Sequence, residues 1–256
     1  MGSSPCLAGE IELGGQLQNL ILGLIPGRHV RGISPSSVEI YMDDRSVYST
    51  ATDQPILDGQ AERKLSFTQD IPVSGFAVSP LGDRLYSRTE VLDLASNKLV
   101  PIAFPDITTG TAYGGELPGG PAISADGKTI FAQKRTLTSV VVVGIDTATG
   151  KESTQELTYN GAYLSDVAVT PDNNLLISCY GRTHEVDLYN YDKSSDQYVY
   201  SASYPMGDFA GQIGLVGGSR FVAGCSGNPA PSNSGGRVIV GDLQTQTALG
   251  STYIAL

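Results

Sequence analysis

Tryptophan is missing from this 256-residue chain, histidine occurs twice, cysteine three times and lysine six times. The three cysteines (Cys6, Cys179, Cys225) include no Cys-x-x-Cys pair, so neither a disulfide framework nor a thiolate zinc site is expected. The two histidines, His29 and His184, stand far apart, and His184-Glu185 lacks the second histidine that a zinc-hydrolase helix places four residues on. Long apolar runs are absent too. The longest, Leu20 to Ile25, is interrupted by Gly23 and closed by Pro26-Gly27, far short of the ~18 residues of a membrane-spanning helix. Positive charge is scarce: 16 Lys and Arg against 26 Asp and Glu give a net charge of −10. Nucleic-acid binding needs a cationic face that releases counterions, so no nucleic-acid partner is expected. No GxSxG, P-loop or GxGxxG motif occurs, and no cofactor is expected. The start, MGSSPCLAGE, has neither the charged start nor the apolar stretch of a signal peptide.

What is present is a repeat. Five segments align without gaps: RGISPSSVEIYM from Arg31, FAVSPLGDRLYS from Phe76, PAISADGKTIFA from Pro121, VAVTPDNNLLIS from Val167 and IGLVGGSRFVAG from Ile213. Their spacings are 45, 45, 46 and 46 residues. Each unit begins with a short apolar strand, such as Phe76-Ala77-Val78. A polar turn rich in Gly, Asp and Asn follows, because these residues tolerate a left-handed backbone or bond to their own main chain. A second strand comes next (Arg84–Tyr86, Thr129–Phe131, Leu175–Ile177), then a loop, then a β-branched third strand (Val140–Val143, Val186–Leu188, Val238–Val240). A turn such as DTATGKE, Asp146 to Glu152, leads to a fourth. No segment keeps a 3.6-residue apolar period, so the chain is expected to be all-β. Four strands per ~40–45 residues is the period of a propeller blade, a sheet that buries its faces only against its neighbours.

The segments AVSPLGDRLY, AISADGKTIFA and VVVGIDTATGKE resemble the YVTN-type repeats of WD-like β-propellers. The resemblance covers about residues 28–256 and implies four-stranded antiparallel blades around a channel. It is specific for fold and unspecific for function, since such propellers include scaffolds, surface proteins and enzymes. The Trp-Asp dipeptide of the WD type is missing. Residues 1–27 stand apart. Glu10–Leu13 and Leu17–Leu24, with Gly14-Gly15 between, read as two strands ahead of five sequence-evident blades. They could complete a ring beside the last blade, belong to a larger propeller or assembly, or decorate the domain.

The resemblance also implies that the links between blades and the loops from second to third strand share one rim. Arg28, His29 and Arg31 then flank the entry to the first blade. Arg45, Arg88, Arg135, Arg182 and Arg237 fall one per blade, so seven of ten arginines map to this rim. His184 joins them, and Asp166, just before the innermost strand of blade 4, is the best candidate carboxylate for acid or base work. Arginine forks suit carboxylate or phosphate, which points to docking of a protein or a small anionic ligand. The competing reading pairs the arginines with Asp43, Asp44, Asp70, Glu90, Asp166, Glu185 and Asp208 on the same rim, at ~0–1 kcal/mol per exposed pair. The Pro105–Gly120 and Cys225–Arg237 stretches read as long loops. Tyr189, Tyr191, Tyr198, Tyr200 and Tyr204 read as cross-strand aromatic pairs.

The expected function is a non-catalytic binding or structural module. The rivals are a lactonase-like or other hydrolase working at the channel mouth, and a subunit of a larger surface or virion assembly. An enzyme needs acids, bases or a metal converging within ~3 Å of one reacting point, and two histidines with scattered aspartates favour the binder. No metal site is expected. Scarce lysine with abundant Ser, Thr, Gly and Tyr leans toward a secreted or cell-surface setting.

Overall fold

The computed structural model describes residues 11–13, 16–18, 30–71, 76–105, 107, 121–135, 139–160, 163–180, 185–206, 209–216, 218–226 and 237–253. Arg28, His29, Arg182 and His184 lie outside these residues, as do most of the two long loops. Arg31, Arg135 and Arg237 are placed by their backbone alone.

All regular structure among the described residues is strand. Five four-stranded antiparallel sheets follow one another along the chain, each ordered as its strands occur in sequence. Blade 1 comprises Val30–Ile33, Glu39–Met42, Val47–Ser49 and Gln54–Pro55; blade 2, Ala77–Val78, Arg84–Ser87, Glu90–Asp93 and Lys98–Leu99. Blade 3 comprises Ala122–Ile123, Thr129–Arg135, Ser139–Asp146 and Glu152–Asn160. Blade 4 comprises Tyr163–Val169, Leu175–Tyr180, Glu185–Asp192 and Gln197–Pro205; blade 5, Phe209–Val216, Arg220–Ser226, Arg237–Asp242 and Thr247–Tyr253. The first strands of successive blades lie beside one another. A row of meanders whose first strands line a common wall is a β-propeller, here with five blades. Two further hairpins form sheets of their own, Ile11–Leu13 with Gln16–Gln18 and Leu57–Asp58 with Ala61–Glu62.

The core is distributed between the blades. Successive residues of a strand point to opposite faces, and the sequence fills both. In blade 4, Leu175 and Ile177 pack with Phe131, Val140 and Val142 of blade 3, while the intervening Leu176 packs with Phe221, Ala223 and Ile239 of blade 5. In blade 3, Val141, Val143 and Ile145 turn the other way, onto Tyr86 and Val91 of blade 2. Tyr41 and Val47 of blade 1 join Leu85 and Leu92 of blade 2. Among the described residues, each pair of blades consecutive in the chain thus owns one apolar layer. Burying a side chain of this size contributes ~1.5–3 kcal/mol, and none of these layers exists in an isolated blade.

The first turns of blades 1 to 4 explain the repeated Ser/Thr and the residue of left-handed backbone that follows it. Ser34, Ser79, Ser124 and Thr170 are all buried. Each carbonyl accepts the amide of the residue three positions on: Ser37, Gly82, Gly127 and Asn173. These four residues all have positive φ (57°, 70°, 72° and 64°). The turns also dock on one another. Pro35 lies against Gly82, Pro80 against Gly127 and Pro171 against Gly218. Between blades 3 and 4 a hydrogen bond takes that place, from the Ala125 amide to Asn173 Oδ1 at 2.8 Å.

Candidate functional site

In a meander of four antiparallel strands, the second-to-third-strand turns and the links between blades lie on one face. The first-to-second and third-to-fourth turns lie on the other. We refer to them as the linker face and the turn face. Arg45 and Arg88 occupy the second-to-third-strand turns of blades 1 and 2, both with left-handed backbone (φ 68° and 49°). They meet on the link between these blades. Arg45 Nη1 donates to the Phe67 carbonyl at 2.7 Å, and its Nη2 is 3.6 Å from the Asp70 carboxylate. Arg88 Nε donates to the Asp70 carbonyl at 3.0 Å. Glu90 completes the cradle: its carboxylate accepts the amides of Thr68 (3.0 Å) and Gln69 (3.2 Å) and the Thr68 hydroxyl. Thr68, Gln69 and Asp70 themselves stay exposed. These contacts hold a solvent-facing loop in a fixed shape. The Arg45–Asp70 pair itself is worth little, with the Asp70 side chain 98% exposed.

Asp166 lies within the first strand of blade 4, at an irregularity in the pairing of Leu164–Asp166 with Ser178-Cys179. Its Oδ2 accepts the Ile213 amide from the first strand of blade 5 at 2.8 Å, and Oδ1 accepts the Val167 amide at 2.9 Å. The carboxylate therefore stitches two blades together at the axial wall. Burial raises its pKa to about 6, against the lowering effect of the two amides. The sign follows from linkage: a native carboxyl that holds its proton more tightly than the unfolded chain loses stability as pH rises. The wild-type protein is expected to lose on the order of 1–3 kcal/mol of unfolding free energy between about pH 4 and pH 6 through this group. Asp166→Asn should flatten that slope, as measured by urea unfolding across the pH range.

The third-strand aspartates work in the opposite sense. Asp192 accepts the hydroxyls of Ser195 and Ser194 and the Ser194 amide, which hold its pKa at about 2. Asp93, Asp146 and Asp242 cap the corresponding turns and are lowered chiefly by Ser96, Thr149 and Thr245 respectively. Whatever these caps contribute is present above the ordinary carboxylate range and is lost as pH falls below it.

The tyrosines divide between two interfaces. Tyr191 pairs with Tyr198 (ring centroids 5.2 Å apart) and Tyr189 with Tyr200 (5.7 Å), and the Tyr159 hydroxyl of blade 3 donates to Tyr189 at 2.8 Å. Tyr204 faces blade 5, where its ring stands edge-on to Phe221 at 4.8 Å and its hydroxyl donates to the Asp242 carbonyl. On the turn face, Tyr191 and Tyr198 overlook a cleft between blades 3 and 4 of about 310 Å³. Asp126 and Asp196 also line it. The spacing of the tyrosines was visible in sequence. That an aspartate from the first turn of blade 3 would stand across from one in the last turn of blade 4 was not.

The sequence matches no protein-family model and no curated protein. Solved structures do share its shape. A chain of a nidogen/laminin complex is 14% identical, with a TM-score of 0.60 over 90% of this chain and 82% of that one. The WD40 repeats of RRP9 are 13% identical, with a TM-score of 0.55 over 87% and 62%. TolB from Acinetobacter baumannii is 17% identical, with a TM-score of 0.52 over 91% and 54%. The chain thus shares the β-propeller fold of these structures. It spans 62% of the RRP9 chain and 54% of the TolB chain. At these identities the likeness is one of fold alone.

Proposed function

We propose that this chain is a non-catalytic binding propeller, built from YVTN-type repeats over residues 28–256, that docks a protein partner on its linker face. One observation carries the reading. Four charged groups assigned to that face act on the chain's own backbone: Arg45 and Arg88 on the carbonyls of Phe67 and Asp70, Glu90 on the amides of Thr68 and Gln69, Asp166 on the amide of Ile213. Such contacts preorganise a loop and leave its outer side, Thr68 to Asp70, free to meet a partner. Preorganised loops on a rigid scaffold bind without the entropic cost of ordering them. The arginines at 28, 31, 135, 182 and 237, with His29 and His184, extend the same rim in this reading. With Arg45 and Arg88 already engaged on main-chain carbonyls, a protein partner is favoured over a small anionic ligand.

The test is affinity capture from the native source, followed by calorimetry with the purified partner. Wild type and Leu81→Arg, whose site is 82% exposed on the turn face, are expected to retain the partner. Gln69→Arg should weaken it at least tenfold. Loss through Leu81→Arg alone would place the docking surface elsewhere. Turnover of a lactone or ester panel that disappears in Asp166→Asn would make the protein an enzyme.

A further inference from the structure

We propose that the cleft between blades 3 and 4 is a second binding site, on the turn face, for an organic cation: a guanidinium or ammonium group on a short aliphatic stem. The site does not depend on what the linker face docks.

The cleft is built in layers. Its inner wall is apolar, with Val142, Leu157 and Gly144 of blade 3 and Leu175 of blade 4. Gly144 is closely packed, since a Cβ there would meet Thr129 and Ser153, two further lining residues, at 3.1–3.2 Å. Above this wall stand the rings of Tyr191 and Tyr198, and Phe131 meets Tyr198 edge-on at 5.2 Å. At the mouth are two carboxylates from different blades. Asp126 Oδ1 accepts the Ser124 hydroxyl (2.7 Å) and the Lys128 amide (3.1 Å), and its Oδ2 has Lys128 Nζ at 3.6 Å. Asp196 Oδ1 accepts the Tyr191 hydroxyl at 2.6 Å. The two lysines nearest in sequence, Lys128 and Lys193, do not line the cleft, and the Lys128 side chain is 77% exposed.

Hydrogen bonds join the two blades on either side of the cleft. Gln155 of blade 3 clamps the last strand of blade 4 with both ends of its amide: Oε1 accepts the Tyr198 amide at 2.7 Å and Nε2 donates to the Tyr198 carbonyl at 2.8 Å. Asn173 fixes the other side through the Ala125 amide. A volume of about 310 Å³ lies at the small end of ligand sites and suits a side-chain-sized group.

The chemistry selects the sign of the ligand. Both carboxylates that line the cleft are negative, and aromatic rings offer their negative faces to cations. The field is already felt by the phenols. The Tyr191 hydroxyl is pushed up first by its hydrogen bond to Asp196, and that of Tyr198 first by burial and then by Tyr191, Asp126 and Asp196. An anion would meet repulsion here. A neutral polyol would bring no charge to Asp196, which has only the Tyr191 hydroxyl against it among the described residues, nor to Asp126, whose one ion pair there is with the exposed Lys128. A cation with an aliphatic stem answers both the mouth and the wall.

Two sources share this chemistry, a free polyamine and an arginine or lysine side chain of a partner protein. Calorimetry on the whole chain with spermidine, N-acetyl-arginine methylamide, methyl glucoside and methyl phosphate separates them. At least one of the two cations is expected to bind with a dissociation constant that rises with salt, and the tighter of the two names the source. Asp196→Asn and Asp126→Asn should each weaken binding about tenfold. Asparagine is tolerated at position 196, where φ is 55°. Asp58→Asn, in the exposed hairpin that follows blade 1, should change nothing. Amide shift perturbation in the wild-type protein, confined to the turns at 124–128 and 192–197, provides the same test without a variant. Failure of both cations to bind at millimolar concentration, indifference to both aspartate variants, or preference for the glucoside or the phosphate overturns the proposal.

Discussion

Phe221→Ala is expected to lower the unfolding free energy by about 3–5 kcal/mol, the usual cost of emptying an aromatic site in a core that collapses poorly. Phe221 is fully buried between blades 4 and 5, touching Leu176, Val186 and Leu188 on one side and Ile239 on its own sheet. It is also fitted to Gly241, where a Cβ would overlap the Phe221 ring. Its register partner across the second and third strands of blade 5 is that same glycine, so the ring fills the space a side chain would need. The midpoint of thermal unfolding should drop by on the order of 10 °C. Because each blade contacts only its neighbours, the loss should be local in the first instance. Hydrogen exchange should speed up in the strands of blades 4 and 5, Leu175–Tyr180 and Arg220–Ser226 above all, before it changes in blades 1 and 2. Uniform acceleration along the chain would show that the blades unfold as one unit.

Gly150→Ala should destabilise by about 3 kcal/mol or more, a large cost for one methyl group. Two terms add. Gly150 sits at φ 69° in the last turn of blade 3, where a Cβ costs ~1–2 kcal/mol. That Cβ would also overlap the carbonyl oxygen of Ala103, in the link between blades 2 and 3, with the Phe104 backbone just behind it. Main chain cannot turn aside as a flexible side chain can, so either the turn or the link must move. Phe104 is buried against Tyr86 and belongs to the layer between blades 2 and 3, so a shift there opens a core. Gly59→Ala is the contrast. It has nearly the same φ, 67°, with open space around it, and should cost only the backbone term. Denaturant midpoints of the two variants separate strain from overlap.

The sequence reached far into this protein, and it stopped for identifiable reasons. The repeat of about 45 residues named the blades, because each meander sheet needs apolar residues on both faces, and the first turns of blades 1 to 4 each make a further demand, a left-handed residue three positions after a buried hydroxyl. Ser34, Ser79, Ser124 and Thr170 satisfy that demand with their own neighbours, so it is written locally. Strand types were legible because Val140–Val143 and Leu175–Ile177 carry apolar side chains without a break, as sheets covered on both faces require. Strand lengths were less so, since the third strand of blade 3 runs on to Asp146 and its fourth to Asn160.

What the tertiary structure decided is who faces whom. Nothing in the order of residues says that Gln155 reaches the backbone of Tyr198, or that Asp166 accepts an amide from the next blade. Nor does it say that Asp126 and Asp196 stand at one mouth. Each of these meetings spans dozens of residues and depends on the angle at which one sheet rests on the next. That angle is set by all the side chains of an interblade layer packing at once, a collective quantity that no short stretch of sequence encodes.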